Sequence, residues 1–224
     1  MLAKETLQFL EDLKANNNRD WFLENKKRYE IFKKDYHQLV SDFLEAMKPL
    51  DPTLEMLEVK NCTFRINRDI RFSKDKSPYK DHLGIWMSSG NKVHNRSGYY
   101  IHIAKSGCFI GGGLWAPEPS DLKKIRNEIA FFYDDLEEIL NEKKFKAAFK
   151  TFDTSENYKL KNPPKGFDKE HPAIEFLKLK SFTAGQKFDI EELLQKDFVS
   201  KMSQKLIVLK PLNDFLNRAV TTEE

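Results

Sequence analysis

The sequence predicts an α+β fold, with a central antiparallel sheet over about residues 62–111 packed by N-terminal and C-terminal helices. Apolar residues recur at helical spacing before residue 48 and again after residue 119. Between these regions they alternate with the period of a strand, and short turn segments separate the runs. The order of helices, sheet and helices is typical of the α+β class.

The N-terminal helices are predicted over residues 3–15 and 20–48. A run of three asparagines that ends in Asn18 separates them, and the Asn18 side chain is suited to capping the second helix. A break is expected near Asn25, so this part of the chain should fold as a short helical array.

The central region contains four strand candidates, which are 62–67, 79–87, 98–104 and 107–111. Turn residues at 88–91 and 106–107 separate the later runs, and short turns between consecutive strands favour an antiparallel meander. Alternation alone does not give the register, because a slip by one residue exchanges the two faces of a strand.

The C-terminal half is predicted to be mainly helical. Its elements are helices over 120–150, a short helix at 172–178, a strand-like run at 178–184 and helices over 190–218. A long irregular connection, 153–172, lies among them and is typical of functional or mobile loops. No linker is evident, so we predict a single domain over 1–224. Its parts are N-terminal helices (3–48), sheet (60–112) and a helical C-terminal half (119–219).

Composition indicates a globular protein. The chain has 224 residues, of which 40% are hydrophobic and 33% charged, and its net charge of +3 is too small to indicate nucleic-acid binding by itself. The two cysteines, Cys62 and Cys108, are too few for a disulfide framework or a cysteine zinc site and are expected to be buried thiols. No signal peptide or membrane-spanning run is present, so a cytoplasmic protein without a membrane partner is expected.

The positive charge is concentrated in residues 62–80, here named the arginine segment. It holds six Lys or Arg and two Asp, so its net charge is +4, while the rest of the chain sums to −1. Read as a strand, it places Phe64 and Ile66 on one face and Arg65 on the other. Arg68 falls on the apolar face, so it must find buried partners or mark a bulge.

The arginine segment supplies the predicted ligand-binding residues. A guanidinium offers a planar fork of donors and an ammonium a point charge, which together suit a carboxylate or phosphate. The candidates are Arg65, Arg68, Arg71, Lys76, Tyr79 and Lys80. Ion pairing of these cations within the chain is the structural alternative, because exposed arginines on strands often do no more than solvate a sheet.

Other polar and aromatic residues are predicted to line the same pocket. In the predicted strand 79–87, Lys80, His82 and Trp86 share one face, and in the predicted strand 98–104 Tyr100 and His102 share a face that could meet it. The two histidines are the candidate acid–base residues of any catalysis. Further candidates for the lining are Trp86, Tyr100, Gly112, Trp115, Lys165 and His171. No metal is expected, since a third ligand of matching spacing is missing and the nearby cations would repel the ion.

The arginine segment also carries a resemblance. It reads Arg65-x-x-Arg68-Asp69-x-Arg71-Phe72-x-x-x-Lys76-x-Pro78-Tyr79-Lys80. This run is similar to the signature of a sparsely distributed, mainly bacterial family, domain-of-unknown-function family 2461. Further similar segments begin at Asn17, Gly111 and Pro164. The resemblance implies that the arginine segment is what members share, and it implies no substrate, cofactor or mechanism.

Three functions follow from these observations. The first is the binding of a small phosphorylated or carboxylated ligand at the arginine segment, with or without catalysis. The second is nucleic-acid binding by the same basic residues, with aromatic rings available for stacking. The third is a structural or protein-interaction role, with the arginines in ion pairs.

Overall fold

The computed structural model describes residues 2–89 and 96–221. Within them the α-helices are α1 Lys4–Ala15, α2 Arg19–Glu24, α3 Lys26–Met47, α4 Val59–Cys62, α5 Pro119–Phe131, α6 Tyr133–Asn141, α7 Lys143–Ala148, α8 Ile174–Leu177, α9 Phe198–Leu206 and α10 Lys210–Thr221. The strands are β1 Leu83–Met87, β2 Gly98–Ile103, β3 Cys108–Leu114 and β4 Phe182–Phe188. Short 3-10 turns make up the other helical residues.

The four strands form one antiparallel sheet in the order β1-β2-β3-β4. The first three correspond to the last three strands of the predicted four-strand meander, and β4 adds beside β3. Alternate residues of β1 and β2 are buried, which are Leu83, Ile85 and Met87 in β1 and Tyr99, Ile101 and Ile103 in β2. This alternation is what a sheet with one face on a core requires. The predicted α+β class is therefore confirmed.

The prediction of a strand at 62–67 is wrong. Helix α4 ends at Cys62, and the residues that follow make only isolated bridges, between Thr63 and Ile85 and between Asn67 and Tyr79. Phe64 is 47% exposed and Phe72 is 96% exposed, so the alternating apolar residues have no core to cover. Without a buried face, alternation does not produce a strand.

Other boundaries differ in smaller ways. The strand predicted at 79–87 begins only at Leu83, and the one predicted at 107–111 extends to Leu114. The strand-like run at 178–184 corresponds to β4, which begins at Phe182. The turn predicted at 88–91 falls partly outside the described residues.

The helix predictions agree more closely. The break expected near Asn25 separates α2 from α3, and the Asn18 side chain accepts a hydrogen bond from the Trp21 amide at 2.9 Å. Asn18 is thus the predicted N-cap. The stretch 120–150 divides into α5, α6 and α7. None of the helices in the described residues has the length and apolar content needed to cross a bilayer.

The described chain divides into two compact units. The first contains residues 1–87, 100–110 and 187–203, and the second contains 88–99, 111–186 and 204–224. In the first unit Phe9 packs on Phe32 with ring centroids 5.0 Å apart. Cys62 and Cys108 are both buried there, as expected. The single domain over 1–224 stays a prediction.

The second unit has its own aromatic core and a buried polar anchor. Phe152 packs edge-on against Phe182 with centroids 6.0 Å apart. The Arg126 guanidinium of α5 donates to the carbonyl oxygens of Leu177 and Leu179 at 2.8 and 3.1 Å. These bonds fasten α5 to the end of α8, so Arg126 is a structural residue.

Candidate functional site

The middle of the arginine segment is a loop whose two ends are joined. Asn67 and Tyr79 form an antiparallel bridge, and the Arg68 amide donates to the Pro78 carbonyl at 2.9 Å. Residues 67–79 are named the closed loop from here on. All of it belongs to the first unit.

Tyr79 anchors the closed loop to the N-terminal helices. The side-chain amide of Asn17 donates to the Tyr79 carbonyl at 2.9 Å and accepts from the Tyr79 amide at 3.0 Å. The Tyr79 ring stacks on Phe22 with centroids 4.1 Å apart, and only 8% of the residue is exposed. The structure thus places this predicted ligand-binding residue in a packing role.

Arg68 braces the closed loop from within. Its guanidinium donates to the Asp75 carboxylate at 2.5 Å, to the Ser77 carbonyl at 3.1 Å and to the Ser73 hydroxyl at 3.3 Å. Hydrogen bonds from the Ser77 side chain and amide, together with Arg68, lower the pKa of Asp75 to about 2. Arg68, which the strand pattern placed on the apolar face, therefore finds its partners across the loop.

Arg71 and Lys76 are also held by the closed loop itself. Arg71 makes a fork of hydrogen bonds to the Asp69 carboxylate at 3.0 and 2.6 Å, and these bonds lower the pKa of Asp69 to about 2. The Lys76 ammonium donates to the Ile70 carbonyl at 2.9 Å. Both cations are exposed, but their nearest acceptors come from the same loop.

Arg65 and Lys80 differ from the other cations of the segment. Among the described residues neither has a carboxylate partner within ion-pair distance. The Lys80 ammonium lies 5.2 Å from the centre of the Phe64 ring. Burial and, after it, the charge of Arg65 lower the pKa of Lys80. These two cations therefore lie close enough to affect each other, and Asp69 interacts with Arg65 only beyond ion-pair distance.

Rings cover the neighbouring part of the sheet. The aromatic face is defined here as Phe64, His82, Trp86, Tyr100, His102 and Phe109, which all belong to the first unit. Tyr100 is central, with its ring centroid 6.5 Å from Phe64, 6.4 Å from Trp86 and 5.6 Å from Phe109. Phe64 and Phe109 are 47% and 37% exposed, so the face is open to solvent at both rings.

Gly84 makes the approach of Tyr100 to β1 possible. A Cβ at this position would lie 2.8 Å from the Tyr100 hydroxyl and 3.2 Å from the Phe64 ring. Both distances are too short for ordinary contact, so a side chain here would displace the rings. Glycine in a strand often marks such a close approach.

Two histidines lie together at the edge of the aromatic face. The rings of His82 and His102 are 4.7 Å apart, and the Tyr100 hydroxyl lies 3.2 Å from His102 Nδ1. Burial and the neighbouring His82 lower the pKa of His102 to about 4. Burial also lowers the pKa of His82, against the effect of Asp81 at 3.5 Å. Both shifts favour the neutral form of the imidazoles.

The charges around His82 come from both signs. Asp81 favours its protonated form, while Lys80 and Arg68 disfavour it.

No cluster of three or more His, Cys, Asp or Glu that could hold a metal ion occurs within residues 2–89 and 96–221. The arrangement suits proton exchange with a bound anion, because neutral imidazoles lie beside cations.

The other predicted lining residues belong to the second unit. Gly112 is buried, and a Cβ there would lie 2.5 Å from the Gly98 carbonyl oxygen and 3.0 Å from Leu209. Trp115 packs edge-on against Tyr158 at 4.5 Å. His171 Nδ1 accepts from the Ala173 amide at 3.0 Å, and Lys165 is exposed. Each of these contacts lies within the second unit.

Sequence reasoning missed three residues of this region. Phe109 lies between two buried residues of β3, so strand alternation could have placed it on the outward face. Asp81 is adjacent to His82 in sequence, so its effect on that histidine could also have been predicted. Asn17 is 62 residues away from Tyr79, and no local pattern reveals such a contact.

The described residues thus form an α+β protein, in which helices accompany a four-stranded antiparallel sheet and a basic loop is held by its own ion pairs. The chain belongs to the family described as conserved hypothetical protein (DUF2461), whose model matches residues 5–215. No curated protein and no solved structure matches the chain. The family has no assigned function.

Proposed function

We propose that the protein binds a small anionic ligand that carries a flat ring, at the junction of Arg65, Lys80 and the aromatic face. The observation that carries the proposal is the pair of cations without a carboxylate partner among the described residues, next to half-exposed rings. An anion there gains two charge-assisted contacts without breaking an existing ion pair. Its ring gains contact area on Phe64 or Phe109.

The proposal gives the remaining cations another role. Arg68 and Arg71 are used by Asp75 and Asp69, so they shape the closed loop and do not bind the ligand directly. His82 and His102 are the groups that exchange a proton with the ligand if it is transformed. We also propose that the protein works in the cytosol. Both of its cysteines are buried free thiols, and thiols stay reduced in that compartment.

A thermal-shift and calorimetry screen tests this proposal. The panel is inorganic phosphate, benzoate, phenyl phosphate, AMP and citrate. A ligand at a hundred times its dissociation constant stabilises the fold by about 2.7 kcal/mol. At this chain length that corresponds to a rise in melting temperature of roughly 5–10 °C. Phenyl phosphate or AMP should outperform phosphate and citrate, because only they supply both the charge and the ring.

Matched variants locate the site. Lys80→Gln and Arg65→Gln should each weaken binding, while Lys74→Gln makes the same change of charge on an exposed lysine of the same segment and should leave affinity unchanged. An equal loss of ligand affinity in all three variants would show only a general effect of charge. A panel without any stabilising compound would overturn the proposal.

A second candidate function is the binding of single-stranded nucleic acid. It is favoured by the position of the rings on an open sheet face, since bases stack on such rings in sequence-tolerant binding. A labelled oligothymidine should then bind far more tightly than its mononucleotide, with affinity that falls steeply as salt rises. A mononucleotide that binds as well as the oligomer, with a shallow salt slope, favours the small ligand.

A third candidate is an interaction or structural role for the closed loop. The ion pairs of Arg68 and Arg71 favour this alternative, because internally paired arginines need no ligand. It predicts that no compound of the panel raises the melting temperature of the wild type. Lys80→Gln and Arg65→Gln should then melt at the wild-type temperature with or without each compound.

A further inference from the structure

A cavity of about 260 Å³ lies beside α1 in the first unit, at a place that the proposed anion site does not use. Its apolar wall consists of Leu7, Leu10, Ile103, Ala104 and Ile190. The volume equals roughly nine water molecules at about 30 Å³ each, which is below the size of a typical drug pocket. A ligand of that size has roughly as many non-hydrogen atoms as a free amino acid.

Four charged residues surround this cavity. Glu11 and Lys14 come from one face of α1, Asp81 comes from the segment before β1, and Lys105 comes from the segment after β2. Glu11 and Lys105 are in direct contact at 2.7 Å. Both signs of charge are therefore present at the mouth, above an apolar interior. A ligand that matches this pattern carries a cation and an anion close together on an apolar body.

The other ion pair is loosely made. Lys14 Nζ and Asp81 Oδ2 are 3.7 Å apart, and His82 Nδ1 is 3.5 Å from the same carboxylate. The first distance is beyond hydrogen-bond range and the second is at its limit. The Asp81 carboxylate thus retains acceptor capacity, and Lys14 retains donors, at the edge of the cavity.

From this geometry we infer that the cavity binds a free α-amino acid with an apolar side chain. The side chain occupies the apolar interior, the ammonium group binds Asp81 and the carboxylate binds Lys14. Each ligand charge replaces one half of a loose pair, so no charge is left buried without a partner. The contact between Glu11 and Lys105 keeps α1 joined to the segment after β2 when the ligand binds.

Calorimetry with the wild-type chain tests the inference. The probes are L-leucine, L-isoleucine, L-methionine and L-phenylalanine. Each is compared with analogues that lack one charge, such as 4-methylpentanoate and 3-methylbutylamine for leucine. At least one amino acid should bind about tenfold or more tightly than both of its analogues. If no amino acid binds, or if an analogue binds equally well, the inference is wrong.

Variants assign the binding to this cavity. Ala15→Trp places a large side chain at an exposed position of the mouth and should abolish binding while the protein stays folded. Lys14→Gln should weaken binding, whereas Lys4→Gln makes the same change on α1 away from the cavity and should not. Unchanged affinity in Ala15→Trp would overturn the inference.

A last pair of variants separates the two sites. Asp81→Asn should weaken amino-acid binding because the ammonium loses its charged partner. Lys80→Gln, which removes a cation of the proposed anion site, should leave amino-acid binding intact. An amino-acid affinity that falls equally in Lys80→Gln would place the ligand at the aromatic face and contradict the inference.

Discussion

Asn17 and Tyr79 are joined by a pair of hydrogen bonds in which a side-chain amide takes the place of a neighbouring strand. The Asn17 amide satisfies both the N–H and the C=O of Tyr79, at 3.0 and 2.9 Å. The opposite edge of this residue faces Asn67 in the bridge that closes the loop. These two bonds, together with the stacking of the Tyr79 ring on Phe22, hold the closed loop against the N-terminal helices.

Replacing this residue tests the anchor. Asn17→Ala should lower the free energy of unfolding by about 2–4 kcal/mol, since two backbone groups of a buried residue lose their partner. Asn16→Ala is the matched control, because Asn16 makes one exposed side-chain bond to the Asp12 carbonyl. Urea unfolding followed by circular dichroism measures both. Equal losses in the two variants would contradict the assigned role.

Tyr36 provides a second buried anchor. Its hydroxyl donates to the Gly84 carbonyl at 2.5 Å and accepts from the Phe64 amide at 3.1 Å, and burial raises its pKa. Tyr36→Phe should destabilise the fold by about 2–4 kcal/mol, because both backbone groups stay without a partner.

The control for this change is Tyr133→Phe. The Tyr133 hydroxyl makes only an exposed contact with Glu137 at 3.4 Å, so its loss should stay within about 0.5 kcal/mol. Chemical denaturation of both variants measures the difference. A Tyr36→Phe protein as stable as the control would show that these two hydrogen bonds do not stabilise the fold.

The contact between Gly84 and Tyr100 predicts a coupled effect. Gly84→Ala should cost about 1–3 kcal/mol in the wild-type chain, since the new methyl group meets the Tyr100 hydroxyl. The same substitution should cost less in a Tyr100→Phe background, where the hydroxyl is absent. A double-mutant cycle measures this coupling, and additive costs would rule it out.

The histidine cluster predicts a pH dependence with a definite sign. The pKa of His102 in the folded protein is about 4, below its ordinary value of about 6.5, because of burial and His82. The unfolded chain therefore binds more protons between these two values. Stability should fall as pH drops from about 6.5 towards 4, with a slope of at most about 1.4 kcal/mol per pH unit from this group.

His102→Gln should flatten part of that slope. Unfolding curves at several pH values measure the stability, and histidine resonances in an NMR titration report the pKa directly. His82 acts in the same direction, so the remaining slope in the variant belongs partly to that residue. A His102 ring that titrates near 6.5 in the folded protein would contradict the prediction.

Two arginines of the closed loop should respond differently to the same substitution. Arg68→Gln removes three contacts across the loop and should increase hydrogen exchange throughout residues 69–77. Arg71→Gln removes an exposed pair with a residue two positions away, so hydrogen exchange in residues 69–77 should stay close to that of the wild type. Similar exchange in both variants would show that Arg68 does not brace the loop.

Local sequence patterns were sufficient where the chemistry is local. The Asn18 cap and the break at Asn25 follow from side chains that act within one turn. The meander of β1 to β3 follows from alternation and short turns. Strand parity also placed His82 and Trp86 on one face, and the structure brings His82 to His102.

Patterns failed where a residue depends on distant partners. The apolar residues of the arginine segment alternate like a strand, but Phe72 has no core to cover because the loop folds on itself through Arg68 and Asp75. The amide of Asn17 meets Tyr79 only after the helices and the loop are assembled. Such contacts depend on tertiary structure, which spacing does not encode.

The paired stems of the closed loop have a practical consequence for protein engineering. Because Asn67 and Tyr79 stand side by side, the intervening eleven residues can be exchanged for a foreign peptide or a glycine–serine tether with little change in loop-closure entropy. Peptides of different sequence can therefore be grafted at this position, and their properties can be compared in the same protein.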